Sequence, residues 1–173
     1  TIVDDGTIAN EDRLGSVWDM QFVVDKYNIQ DDVIIFWGDN LFEDGLTDIL
    51  RDFHIRWNTI AVHDNGDLDQ VKQFNNIIID ESGKIVEFVE KPEKPTSTLH
   101  ATLTYVLKNE CLRHIPEVIA AGKADRAGDL IAYICKKEDI YTYTLKGKWF
   151  DIGTLDQLKM AEEWVILERT KKV

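Results

Sequence analysis

Cysteine, proline, methionine and positive charge are all scarce in this 173-residue sequence, and no long apolar run breaks it. Cys111 and Cys135 stand alone in helix-like segments, with no C-x-x-C or zinc spacing. They read as two buried thiols of a cytosolic protein rather than a disulfide framework. The four histidines, His54, His63, His100 and His114, form no ligand spacing and read as ordinary surface or core residues. No apolar stretch approaches the length that spans a bilayer, and no signal-peptide pattern opens the chain. Twenty Lys and Arg face 32 Asp and Glu, a net charge of −12. That balance argues against a nucleic-acid backbone or an anionic membrane as the main partner. An anionic substrate would need a metal ion or a local basic group. Internal repeats and low-complexity segments are lacking too, so one domain over residues 1–173 is expected.

The chain is organised around Asp31 to Phe42. Five consecutive apolar residues, Val33 to Trp37, are followed by Gly38-Asp39-Asn40. Such a run fits a strand buried on both faces in a parallel sheet. Ligands of open α/β sheets bind outside the carboxyl ends of the strands, where Asp39 falls. A carboxylate beside Gly38, which lets a ligand come close, suits a divalent cation. Capping of the next turn or helix is the competing role.

Thr1 to Gly6 looks like a strand end and a turn. Residues 13–27 have helical periodicity, with Leu14, Val17, Trp18, Gln21, Phe22 and Asp25 on one stripe. Gly15 in the first turn costs a helix roughly 1 kcal/mol against alanine. Either close approach of a ligand or a tight helix–strand contact would explain it. Asn40 to Gly45 reads as a polar loop and 47–56 as a helix. Strands are expected at 59–62, 76–80, 85–90, 99–107 and 140–145, with a hairpin at Ser82-Gly83. Helices are expected at 109–121, 127–137 and from Thr154 to a frayed end near Lys172. The pattern is α/β with a mostly parallel sheet.

Five segments in order resemble the sugar-1-phosphate nucleotidyltransferases, most of all the glucose-1-phosphate thymidylyltransferase-like members. Asn10-Glu11-Asp12-Arg13-Leu14-Gly15 resembles the segment opening the helix beside the nucleotide base. Gly38-Asp39-Asn40 resembles the G-D-N that supplies a magnesium-binding aspartate. Glu90-Lys91-Pro92 resembles the E-K-P whose lysine binds the sugar phosphate. Thr102 to Tyr105 falls where the family has T-G-I-Y, and Trp149 to Thr154 resembles the W-x-D-x-G-T of the second magnesium-binding aspartate.

The resemblance implies a Rossmann-like, mostly parallel sheet with helices on both faces and an antiparallel hairpin. It implies Mg2+ on Asp39 and Asp151, with these two and Lys91 as the catalytic set. Leu14, Gly15, Gly38, Asn75, Glu90, Leu103 and Tyr105 are then the substrate-binding candidates. The reaction implied is sugar-1-phosphate plus nucleoside triphosphate to nucleotide sugar plus pyrophosphate. Three departures stand out. No G-x-G-T-R loop, which holds the triphosphate in the family, occurs in the sequence. Asn75 stands for the glycine of Y-G-V-V, and Leu103 for that of T-G-I-Y. In the family both glycines lie against the sugar, where a side chain fills space. The chain is therefore expected to be an N-terminally truncated piece or relative, inactive alone. A degenerate binding or assembly module is the alternative. Bared sheet edges should be covered by a second copy, giving a homodimer, or by residues 1–6.

Overall fold

The computed structural model describes residues 1–171; the expected fraying at Lys172 lies outside them. The first half contains α1 (Ser16–Tyr27), β1 (Val33–Phe36), β2 (Asn40–Phe42), α2 (Leu46–Arg56), β3 (Thr59–Asp64), α3 (Leu68–Val71) and β4 (Asn75–Ile79). The second half contains β5 (Ile85–Glu90), β6 (Leu99–Leu107), α4 (Asn109–Leu112), α5 (Ile115–Ala120), α6 (Ala127–Ile134), β7 (Tyr141–Thr144), β8 (Trp149–Asp151) and α7 (Leu155–Lys171).

The main sheet has the order β1-β6-β3-β7; β2 pairs with β8 and β4 with β5 in separate ribbons. The α/β class with helices on both faces matches the sequence. The ladders differ from expectation: β6 runs antiparallel to both β1 and β3, and only β3–β7 is parallel. Since β1 and β3 both oppose β6, strands β1, β3 and β7 share one direction, and β6 alone is reversed. It arrives from the β4–β5 hairpin through the proline loop, not over a helical crossover, so nothing forces it parallel.

Period-two alternation sends Ile60 and Val62 of β3 to one face and Ala61 to the other. The larger core joins Ile60, Val62, Tyr105 and Leu107 to Val17, Ile115, Val118, Leu130, Ile131 and Ile134. The smaller joins Ala61 and Val106 to Ile49 and Phe53 of α2. At roughly 1.5–3 kcal/mol for each fully buried large apolar side chain, these two layers carry the fold.

Several expectations fail locally. Strand β1 is not buried on both faces: it is the sheet edge, with Ile34 and Phe36 exposed. On α1 the inward stripe is Val17, Met20 and Val24, not the one through Leu14 and Trp18, which are 39% and 43% exposed. The helix carries two apolar stripes, and its seat on the 124–125 loop fixes which one faces inward: Ser16 and Val17 donate to the carbonyls of Asp125 and Ala124. The 109–121 helix is broken into α4 and α5 because Pro116 sits in the first turn of α5 and has no N–H to continue the ladder. The Asn40–Gly45 loop begins as strand β2. Residues 1–9 form no strand, although Gly6 (φ 84°) turns as expected, with its N–H donating to Asp4. Ile2 and Ile8 are almost fully exposed, so this segment does not cover the sheet edge. Among the described residues no helix is long and apolar enough to cross a membrane.

Candidate functional site

Strands β2 and β8 place the two singled-out aspartates together. Asn40 lies opposite Asp151 in their antiparallel register, and the Ile152 N–H donates to the Asp39 carbonyl at 2.9 Å. Burial, and then the charge of Asp39, raise the Asp151 carboxyl above its ordinary range. Two like charges brought together favour a proton or a cation between them. Among the described residues no group of three or more His, Cys, Asp or Glu is arranged to hold a metal. A carboxylate pair still suits magnesium, which takes one or two protein carboxylates and fills its shell with phosphate oxygens and water. The chemistry of the donors therefore fits such an ion.

A second cluster forms where β4, β5, β6 and α6 meet. The Glu90 carboxyl hydrogen-bonds the Asn75 side chain and lies against Gly128, where an added Cβ would sit 1.9 Å from Oε2. Burial, then the neighbouring Asp129, pushes Glu90 up to about 7. Asn75 is buried, and its Oδ1 accepts the Ala101 N–H at 2.7 Å, tying β4 to β6. Tyr105 is fully buried, edge-on to Trp37, and its hydroxyl has no hydrogen-bond partner among the described residues. Glu90, Asn75 and Tyr105 are thus brought together, with Tyr105 inside the core.

Lys91 is exposed and has φ 47°, an unusual conformation for a side-chain-bearing residue. Its N–H donates to the Phe74 carbonyl at 2.8 Å, and the Phe74 ring lies 5.6 Å from Trp149, two residues before Asp151. The lysine backbone is thereby joined to the carboxylate-bearing ribbon. Gly38 is exposed, and a Cβ added to it would meet nothing within 4 Å among the described residues. Leu14 and Gly15 lie at the α1 N-terminus. There a Cβ on Gly15 would stand 2.9 Å from Ala124 O and Asp125 Cα, so tight packing on that loop, not on a strand, explains the glycine.

The nucleotidyl transferase family model matches residues 9–166. The chain belongs to the nucleotidyl transferase family. A Sulfolobus acidocaldarius protein, named with reservation as a mannose-1-phosphate guanyltransferase, is 26% identical over 95% of this chain and 44% of its own length. The glucose-1-phosphate adenylyltransferase of Clostridium acetobutylicum is 32% identical over 73% of this chain and 34% of its own. A crystal structure of UDP-glucose pyrophosphorylase complexed with UDP-glucose superposes with a TM-score of 0.74 at 18% identity, covering 90% of this chain and 64% of that one. The chain spans less than half the length of these curated relatives.

Within the nucleotidyl transferase fold, Leu103 has φ 57° at a bulge of β6. Between Ile60↔Tyr105 and Val62↔Ala101 the register absorbs extra residues of β6. Left-handed backbone costs a side-chain-bearing residue about 1–2 kcal/mol, the physical reason a glycine suits this position. Leu103 is half-buried against the larger core, which offsets that strain. Leu103→Gly is therefore expected to change the unfolding free energy by less than about 1 kcal/mol, as strain relief cancels lost burial. A denaturant melt checks it; a loss above about 3 kcal/mol would show that packing dominates.

Two contributors escaped the sequence reading. Trp149 donates its indole N–H to Asn40 Oδ1 at 2.7 Å, a contact that requires β2 to be recognised as a strand. Gly128 accommodates the Glu90 carboxyl; a glycine in the first turn of a largely apolar helix was the available signal.

Proposed function

We propose that this chain carries the metal- and sugar-phosphate-binding part of a sugar-1-phosphate nucleotidyltransferase. The observation that carries the reading is the meeting of Asp39, immediately before β2, with Asp151 on the paired strand β8. Both would hold Mg2+, which when bound supplies charge neutralisation for the phosphates. Lys91 would hold the sugar phosphate as a point charge, a useful device in a chain of net charge −12. Its strained backbone, fixed by Phe74, would limit the entropy lost on binding. Glu90 and Asn75 would face the sugar. In the reaction, a sugar-1-phosphate oxygen attacks the α-phosphorus of a nucleoside triphosphate and pyrophosphate leaves. Such chemistry rests on positioning and charge more than on covalent help from the protein.

Calorimetric titration with nucleotide sugars and sugar-1-phosphates, with and without magnesium, tests the reading. Magnesium-dependent binding is expected. It should weaken at least tenfold in Lys91→Ala with the melting temperature unchanged, since losing a charge-assisted contact costs about 1.5–3 kcal/mol. Absence of binding to every ligand would favour a non-catalytic assembly module, the reading that Leu103 and Asn75 support. A pyrophosphate-release assay of this chain alone should give no turnover, because no G-x-G-T-R cradle is present in its sequence. Turnover at ordinary enzyme rates of about 1–1,000 per second would refute that expectation.

A homodimer is part of the same proposal. It is supported by the free outer edge of β1 with Ile34 and Phe36 exposed, and by Leu155, Met160, Ile166 and Leu167 exposed on α7. Light scattering should give twice the 19.9 kDa chain mass; a clean monomer counts against it.

A further inference from the structure

We propose that Trp149 and Asn40 are positioning residues for the Asp39–Asp151 pair, the indole N–H locking the Asn40 amide so that it holds the Asp39 carboxylate. The proposal rests on the reading that the two aspartates hold a divalent cation. Its geometry is a relay of two hydrogen bonds. Trp149 Nε1 donates to Asn40 Oδ1 at 2.7 Å, and Asn40 Nδ2 donates to Asp39 Oδ1 at 2.9 Å. An indole nitrogen can only donate and an ionised carboxylate can only accept. The amide orientation of Asn40 is therefore fixed from both ends: reversed, it would set oxygen against carboxylate and N–H against N–H. Asn40 also lies directly opposite Asp151 in the strand register. One side chain thus connects both carboxylate-bearing strands.

The indole is itself held by a box of rings. Trp149 packs 4.9 Å from His100, 5.6 Å from His63 and 5.6 Å from Phe74, and Phe74 stacks on His100 at 4.7 Å. His63 and His100 face each other across the β3–β6 ladder. His63 Nδ1 and His100 Nε2 are buried without hydrogen-bond partners among the described residues, a cost that plain apolar packing would avoid. The box is anchored in the main sheet, whereas β2 and β8 form only a two-stranded ribbon. Such a ribbon is marginal by itself. Its orientation, and with it that of the aspartates, is borrowed from the sheet through the indole.

Manganese binding, followed by the electron paramagnetic resonance of the free ion well below the melting temperature, separates the possibilities. The proteins are wild type, Asp151→Asn, Trp149→Phe and Asn40→Ala. Trp149→Phe keeps an aromatic ring in the box and removes the N–H donor; Asn40→Ala removes the amide and leaves the box intact. The expected result is binding by wild type, loss in Asp151→Asn, and affinity weakened about tenfold or more in both relay variants, the effect usual for partners that orient metal ligands. A purely structural role would lower the melting temperature and leave the manganese affinity unchanged. Wild-type affinity in Asn40→Ala, with Asp151→Asn still defective, overturns the relay and leaves the cation reading standing. No binding by wild type, or full binding by Asp151→Asn, overturns the cation reading and the relay with it.

Discussion

Replacing Gly15 with alanine is expected to lower the unfolding free energy by about 4 kcal/mol, a large share of the roughly 5–15 kcal/mol typical of a domain. Two costs add. At φ 92° and ψ 153° the residue occupies a region nearly restricted to glycine, a strain of about 1–3 kcal/mol. The new Cβ would also meet Ala124 O and Asp125 Cα at 2.9 Å, and both are backbone atoms that cannot swing aside. Forcing such an overlap costs a further 1–3 kcal/mol or so. The same contact delivers the first two N–H groups of α1 to the carbonyls of residues 124 and 125. Any shift therefore also strips the helix start of acceptors. Gly66→Ala serves as the control. It too has a positive φ, of 65°, but nothing lies within 4 Å of its Cβ, so it should cost only about 1 kcal/mol. Chemical denaturation of the two variants checks the difference. Equal costs would show that the 124–125 contact does not hold α1. Unchanged stability with weakened ligand binding would return Gly15 to the role of a substrate neighbour.

Residue types and local periodicity made most of the elements legible, because a run such as Ile85–Glu90 carries its own alternation. What escaped was set by distant partners. Asn40 to Phe42 looks like a polar loop until Trp149 to Asp151 pairs with it; three residues are too few to announce a strand. The apolar run at Val33 suggested a strand buried on both faces, but burial depends on what packs over each face, and only Val33 and Ile35 meet the larger core while Ile34 and Phe36 are exposed. On α1, two stripes competed and a loop 109 residues downstream of Gly15 chose between them, through Ala124. The carboxylate pair was legible through the resemblance of two short motifs. The relay from Trp149 was not, since it depends on a side-chain amide wedged between the strands. The departures at Asn75 and Leu103 were visible in the sequence, whereas the hydrogen bond from Ala101 and the left-handed backbone that go with them were not.

Glu90→Gln should raise stability at pH 8 and change it much less at pH 5. In the folded chain the carboxyl is pushed up to about 7 from an ordinary 4.5, chiefly by burial and then by Asp129. The folded state therefore holds the Glu90 proton more tightly than the unfolded state. Its stabilising contribution is complete below about pH 4.5 and is lost as pH rises through 7. The unscreened shift corresponds to roughly 3 kcal/mol, and the carboxyl's partial contact with solvent reduces this to about 1–2 kcal/mol. Glutamine mimics the protonated acid in size and hydrogen bonding, so it retains the Asn75 contact and the seat against Gly128 without acquiring charge. Other groups act elsewhere on the pH axis. Asp32, held down by Lys108, and Glu138, held down by His114, contribute stability that disappears as pH falls through their depressed values. Asp151, raised by burial and Asp39, adds a slope of the same sign as Glu90 and is untouched by the substitution. The informative quantity is consequently the difference between wild type and variant from pH 5 to pH 8, taken from parallel thermal melts. A difference that opens between pH 5 and 8 is expected, worth several degrees in melting temperature. Parallel curves would show that Glu90 is ionised normally in the folded chain, and its burial against Gly128 would then have no energetic consequence for the charge.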